Sequence, residues 1–302
     1  MPVIFLLKGR RKMENHAKYK NFGNALRCPL CEESLQVVQS RSLICPNRHT
    51  FDISHLGYVN MLSHSPKSRY NKALFEARKK IIMESDLFKL LHEKISAVID
   101  TYSADSDTPA FILDAGCGEG SHLEKILGNS RNRTLTGIGL DLSKAGIAQA
   151  AKRYKQSIWL VGDLAKPPLA DHYMNMILNI FSPSNYKEFK RILAPDGLII
   201  KVVPRAAHLK ELRNAINGSK EKSLYKNDET ISLFKKHFTL TDIITVSDTR
   251  ELNKSDRTHL VQMSPLAWYS NETALDAFIT KNRQITIDAD ILIGLNQKET
   301  RL

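Results

Sequence analysis

Short apolar runs and amphipathic stretches alternate along most of the chain. Residues 110–113 form an apolar run that ends at Asp114 and a glycine-rich turn, and residues 121–127 then carry apolar side chains at helical spacing. Further strand candidates follow at 134–140, 157–161, 174–179 and 198–203, with helical patterns from Ser143 onward and at 186–193. The run 198–203 is almost continuously apolar, as expected for a strand covered on both faces of a parallel sheet. Residues 230–238 read as another helix, and 240–246 and 285–295 as the last two strands. Ahead of the first strand, Leu74, Ile81, Ile82, Leu87, Leu90, Leu91, Ile95 and Val98 give residues 73–101 a helical period, with a break expected near Ser85 and Asp86. Strands alternating with helices predict an α/β fold built on a doubly wound sheet.

The first eighty residues follow a different pattern. Residues 1–27 show no clear period; Arg10-Arg11-Lys12 reads as a basic arm, and Met13 is a second candidate start. Residues 35–44 read as two short strands with a polar tip. Residues 51–62 (FDISHLGYVNML) carry aromatic and aliphatic side chains suited to covering that hairpin or stacking on a base; His55 reads as structural or RNA-facing. Residues 63–72 are polar and basic, broken by Pro66. The division expected is an extension at 1–27, a small module at 28–62, a linker at 63–80 and the α/β domain at 81–302.

Cys28, Cys31, Cys45 and His49 fall in the spacing C-x2-C-x13-C-x3-H. Two ligand pairs on tight turns, separated by a hairpin, suit a tetrahedral zinc whose shell is filled by protein, hence a structural site. Three of the four cysteines lie in this window. The fourth, Cys117, reads as a packing residue within the glycine turn.

The turn itself, LDAGCGEG (113–120), places Gly116, Gly118 and Gly120 two residues apart. A dinucleotide fingerprint would require glycine at 121, where the chain has Ser121. The D-x-G-x-G-x-G spacing instead suits S-adenosylmethionine (SAM), whose ammonium group calls for a carboxylate such as Asp114. Asp141, at the end of the second strand, is placed for the ribose hydroxyls. Asp163, after the third strand, is a candidate for the adenine amino group or for holding a turn.

Charge sharpens the picture. The 302-residue chain carries a net +12, and residues 1–80 hold 15 Lys/Arg against 5 Asp/Glu, or +10, leaving +2 for the rest. A basic N-terminal third on a near-neutral body points to a polyanion, with Lys67, Arg69 and Lys72 as candidate phosphate contacts. No apolar run reaches the ~18 residues of a membrane span, and the 42% hydrophobic content suffices for a core. Four cysteines and no secretion signal place the protein in the cytoplasm by expectation.

The segments CPLC (28–31), CPNRHTFDISHLGYVNML (45–62), LDAGCGEG, GLDLSKAGIAQAAKRY (139–154), PRAAHLKEL (204–212) and QMSPLAW (262–268) resemble the RlmA/RrmA family of 23S rRNA (guanine-N1)-methyltransferases. The resemblance implies a class I SAM-dependent methyltransferase fold, Rossmann-like, behind an N-terminal zinc module. It implies a guanine in a hairpin loop of domain II of 23S rRNA as substrate, and zinc bound by Cys28, Cys31, Cys45 and His49. It also implies SAM contacts at Gly118, Glu119 and His208. Residues 180–189 read IFSPSNYKEF where the enteric branch has IYAPCKAEEL, which looks more like the Gram-positive branch linked to tylosin tolerance. Where the family's covering helix carries a SAM-contacting tyrosine, this chain has Leu87, with Phe88 beside it.

Asn179, Phe181 and Pro183, at the carboxyl edge of the fourth strand, are candidates for gripping the guanine edge. No residue reads as the base. A second copy of the chain is a further candidate partner, and no membrane is expected. Two other classes compete: a methyltransferase of a small molecule, and a non-catalytic zinc protein that binds RNA. Salt-dependent RNA binding separates the first from an rRNA enzyme, and a SAM titration separates the second. A chain starting near Ile81 is expected to keep SAM and lose RNA.

Overall fold

The computed structural model describes residues 18–19, 22–62, 70–104, 108–217 and 227–297. The basic arm at 10–12, Met13, Pro66, Lys67 and Arg69 lie outside them.

The N-terminal module is a three-stranded antiparallel ribbon: β1 (Gln36–Val38), β2 (Ser42–Ile44) and β3 (Thr50–Asp52). The first two are the strands expected from the polar-tipped hairpin. A fourth strand, β4 (Tyr58–Asn60), leaves the ribbon and runs parallel to a strand of the large sheet. Two helices follow, α1 (Lys72–Glu84) and α2 (Lys89–Tyr102). Asn71 caps α1 by accepting from the Leu74 amide, and the chain breaks at Ser85 and Asp86 as its pattern predicts. Helix α1 therefore starts within the stretch read as linker.

The α/β part runs β5 (Ala110–Ala115), α3 (Ser121–Asn129), β6 (Leu135–Asp141), α4 (Lys144–Arg153), β7 (Ile158–Val161), β8 (Met174–Ile180), α5 (Tyr186–Ile192) and β9 (Leu193–Pro204). It continues with α6 (Lys210–Asn217), α7 (Asp228–His237), β10 (Thr239–Glu251), α8 (Lys254–Met263), α9 (Glu272–Lys281) and β11 (Gln284–Leu295). The sheet order is β10-β11-β9-β8-β5-β6-β7-β4, with only β11 antiparallel to its neighbours. The order reverses beside β5, and open α/β sheets take ligands at such a switch point.

Alternate residues of the central strands bury on opposite faces, which is why these strands read as continuous apolar runs. Ile112, Met176, Leu178 and Ile200 pack with Ile81, Leu91, Ile95, Leu123 and Ile147 of α1 to α4. On the other face Leu113, Ile138, Ile158 and Leu160 share a cluster with Leu35, Leu43, Val59 and Met61, together with the ribbon's own Cys28 and Cys45. The chain before the ribbon joins this face too. Phe22 packs on Phe111 with ring centroids 5.3 Å apart, and the Tyr19 hydroxyl donates to the carbonyls of Gly57 and Trp159. The ribbon is thus one of the layers covering the sheet. A start at Ile81 would remove that layer, strand β4 and most of α1.

Candidate functional site

The two cysteine turns bring their side chains together as the spacing requires. Cys28 Sγ lies 3.5 Å from His49 Nδ1, Cys45 Sγ 3.4 Å from the same nitrogen, and Cys31 Sγ 3.7 Å from Cys45 Sγ. All four ligand atoms fall within 4.8 Å of one another. A tetrahedral zinc with Zn–S of about 2.3 Å and Zn–N of about 2.0–2.1 Å sets ligand–ligand edges of roughly 3.5–3.8 Å, so the donor set fits zinc. The turns close on backbone hydrogen bonds, Glu32 N to Cys28 O at 2.8 Å and Arg48 N to Cys45 O at 2.9 Å. His55 is exposed and stands apart from the cluster.

The glycine loop sits between β5 and α3, at the carboxyl end of the sheet. Gly116, Gly118 and Gly120 all have positive φ, at 85°, 61° and 81°, a region costly for any residue with a Cβ. A Cβ on Gly120 would also lie 2.3 Å from the Trp159 ring, which fills the space beneath the loop. Cys117 is buried and packs inward, as read from the sequence.

Three acidic side chains converge here. Asp114 and Glu119 are 2% and 0% exposed. Asp141 accepts from Gly118 N at 2.9 Å and from Ser143 N at 2.7 Å, which fixes the loop to the end of β6. Burial pushes the Asp114 carboxyl up to about 7, against the pull of the Arg78 guanidinium and with help from Asp141 and Glu119. Burial likewise raises Glu119 and Asp141. Neither buried Glu119 carboxylate oxygen makes a well-aligned hydrogen bond, although the Glu119 and Ser121 amides and the Ser121 hydroxyl lie close enough to pull the carboxyl down against burial. Buried, under-satisfied carboxylates beside an open-backbone glycine loop suit a cationic ligand that approaches the main chain.

Arg78 belongs by sequence to the basic N-terminal third. Its side chain instead enters this site from α1, with Nε 3.2 Å from Glu119 Oε2. Asp163 is exposed, and its Oδ1 accepts from Ala165 N at 2.8 Å, the turn-holding arrangement.

The opposite wall is the loop after β8. Phe181 has a positive φ of 49°, strain that marks a constrained position. Its ring lies 4.8 Å from that of His208 and 6.3 Å from that of Phe88. His208 Nδ1 is buried without a hydrogen-bond partner, and burial holds the ring down at about 4. Leu87 and Phe88 are both buried in the core, and it is the Phe88 ring that touches Phe181 and His122. Pro183 is exposed at the loop's crest. Asn179 is fully buried. Its amide donates to Ala115 O and Pro183 O, each at 3.0 Å, and its Oδ1 accepts from Lys201 and Ser184. Asn179 therefore shapes the loop from below rather than presenting its side chain to a ligand.

Lys201 is the residue that sequence reading missed here. It lies in the apolar strand β9, and its Nζ donates to Asn179 Oδ1 at 2.7 Å and Ser184 Oγ at 2.5 Å. Among the described residues no carboxylate pairs with it, and burial lowers it to about 8. The available signal was a lone cation inside LIIKVV (198–203). Lys72 is exposed at the start of α1, with its carbonyl held by Gln149 Nε2.

The fold and these two sites define the class: a SAM-dependent methyltransferase with an N-terminal zinc ribbon. Residues 26–68 match the description "RlmA, N-terminal", and residues 112–197 match "Methyltransferase domain". The chain belongs to the 23S rRNA (guanine-N1)-methyltransferase family. It is 40% identical over 273 residues to YxjB of Bacillus subtilis, which carries a provisional name of that activity, covering 89% of this chain and 96% of YxjB. It is 30% identical to the 23S rRNA (guanine(748)-N1)-methyltransferase of Streptomyces fradiae, covering 85% of this chain and 90% of that one. Among the described residues no helix is long and apolar enough to cross a membrane.

Proposed function

We propose that the protein methylates N1 of a guanine in a hairpin loop of domain II of 23S rRNA, in the cytoplasm. The observation that carries this reading is 40% identity to YxjB over 89% of the chain. The FSPSN loop at 181–185 and the likeness to the Streptomyces fradiae enzyme favour the Gram-positive branch of the family.

SAM supplies an electrophilic methyl group on a sulfonium. On this reading Asp114 receives its ammonium, Gly116, Gly118, Glu119 and Gly120 line the chain-facing side, Asp141 takes the ribose, and Asp163 and His208 complete the contacts. In-line displacement depends chiefly on holding the guanine in register with the methyl. The strained Phe181 loop is suited to that, with the Phe181 ring and the exposed Pro183 against the base and backbone groups on its edge. N1 of guanine carries a proton near neutral pH, which passes to solvent as the bond to the methyl forms, and Lys201, tied to Asn179 and Ser184 beneath the loop, keeps the loop in place. An unpaired loop base is inexpensive to splay into such a site. Lys67, Arg69 and Lys72 are proposed to engage the phosphates. A second copy of the chain is a further proposed partner, and molar mass in solution tests it.

The experiment is methyl transfer from labelled SAM to a transcript of the hairpin, followed by nucleoside analysis. The expected product is 1-methylguanosine at one loop position. Labelled small molecules with unlabelled RNA would return the small-molecule reading.

A further inference from the structure

Arg78 is the sole side chain that brings positive charge into the acidic end of the glycine loop: among the described residues no other ion pair reaches Asp114, Glu119 or Asp141. Its guanidinium rests on the loop itself, since a Cβ on Gly118 would lie 2.8 Å from its Nη1. It feels Glu119, then Asp114, then Asp141, and its side chain is 21% exposed. The pair with Glu119 is a contact of 3.2 Å to one oxygen, off the line of a hydrogen bond.

We propose that Arg78 is the receptor for the carboxylate of SAM's methionine moiety, and that its pair with Glu119 holds it in place until that carboxylate arrives. The inference rests on the cofactor lying on the glycine loop, as proposed above. The charge balance points the same way. Three carboxylates against one guanidinium leave two negative charges in excess when all are ionised. SAM brings two positive charges, ammonium and sulfonium, and one negative, its carboxylate. The positive charges have Asp114 and its neighbours. The carboxylate needs a cation among these acids, and Arg78 supplies one whose planar fork matches a carboxylate in two parallel hydrogen bonds. Helix α1 places it there: Phe75, one turn earlier, packs against Gly118 and Gly146. A residue that served only to pin α1 to the loop would support every adenosyl ligand equally.

That distinction sets the test. Calorimetry on the full-length, zinc-loaded protein would compare S-adenosylhomocysteine with decarboxylated SAM and with methylthioadenosine, which lacks the amino-acid end. In Arg78→Met, S-adenosylhomocysteine should bind about 10- to 100-fold more weakly, the range for a hydrogen bond to a charged group, while the two ligands without a carboxylate change by less than about twofold. Arg78→Lys should recover part of the loss and guards against a folding defect in the methionine variant. Equal weakening of all three ligands, or unchanged S-adenosylhomocysteine binding, overturns the assignment. If Asp114→Ala and Gly118→Val also leave binding unchanged, the placement of the cofactor falls as well; if they abolish it, the fault lies with Arg78 alone.

Discussion

The zinc ribbon and the glycine loop are both proposed binding sites built on tight turns, yet they are finished to different degrees. In the ribbon the four ligand atoms already lie within 4.8 Å of one another, three of the pairs at 3.4 to 3.7 Å. The glycine loop holds three carboxylates, two of them almost wholly buried, against one guanidinium. The first site is arranged for permanent occupation. The second stores unfavourable electrostatics that a cationic cofactor relieves, as a site that binds and releases should. The two share a core, because the ribbon's apolar side covers the sheet that carries the loop.

The largest expected effect breaks that shared core. Cys28→Ser should remove zinc and unfold the ribbon, and apparent zinc-binding energies in small modules are about 10–16 kcal/mol. Because Leu35 and Leu43 of the ribbon share a cluster with Leu113 and Ile138 of the sheet, the methyltransferase part should melt at lower temperature too, a coupling that scanning calorimetry with and without a chelator would detect. A chain starting near Ile81 should precipitate or lose SAM, in contrast to the expectation from sequence; soluble expression with intact SAM affinity would show the two parts to be independent.

Gly118→Val should abolish measurable SAM binding, since it adds a branched side chain at φ 61° within 2.8 Å of Arg78. Wild-type affinity in a folded variant would leave the loop a structural turn.

Asp114 predicts a pH dependence. In the ligand-free fold its carboxyl is raised to about 7, so below that pH it must release a proton to receive an ammonium. SAM affinity should be level above pH 7 and fall by about tenfold per unit below it. The folded state holds a proton that the unfolded chain gives up, so this group's contribution to ligand-free stability falls as pH rises from 3.8 toward 7. Asp114→Asn should flatten the affinity profile; titration calorimetry across pH 5.5–8.5 checks it.

Lys201→Met should act more mildly. SAM affinity should stay within about twofold while methylation falls about tenfold, because the Phe181 loop loses the cation tying Asn179 to Ser184. Equal loss in both would move Lys201 from loop positioning to general stability.

Much of this was legible in the sequence where the interactions are local. The zinc ligands declare themselves because each pair sits on one turn. The glycine loop and the strands β5 to β9 follow from apolar runs and turn residues close in the chain. Ser143 caps α4 as read, accepting from Gly146 N. What was hidden depends on distant packing. Tyr58–Asn60 looked like cover for the hairpin and became an edge strand on β7. Tyr19 and Phe22, in a stretch without period, are fully buried. Arg78 looked like part of a basic surface because its partners, Glu119 and Asp114, lie more than thirty residues onward. Helix α6 spans only eight residues and α8 and α9 have weakly segregated apolar faces, so none of the three stood out against the neighbouring loops.

The most direct test of the function is primer extension on 23S rRNA from a strain lacking this gene, beside the same strain carrying it. N1 methylation blocks Watson–Crick pairing, so the account predicts a strong stop at one guanine of the domain II hairpin loop only when the gene is present, absent again with Gly118→Val. Identical extension through that loop in both strains would contradict it.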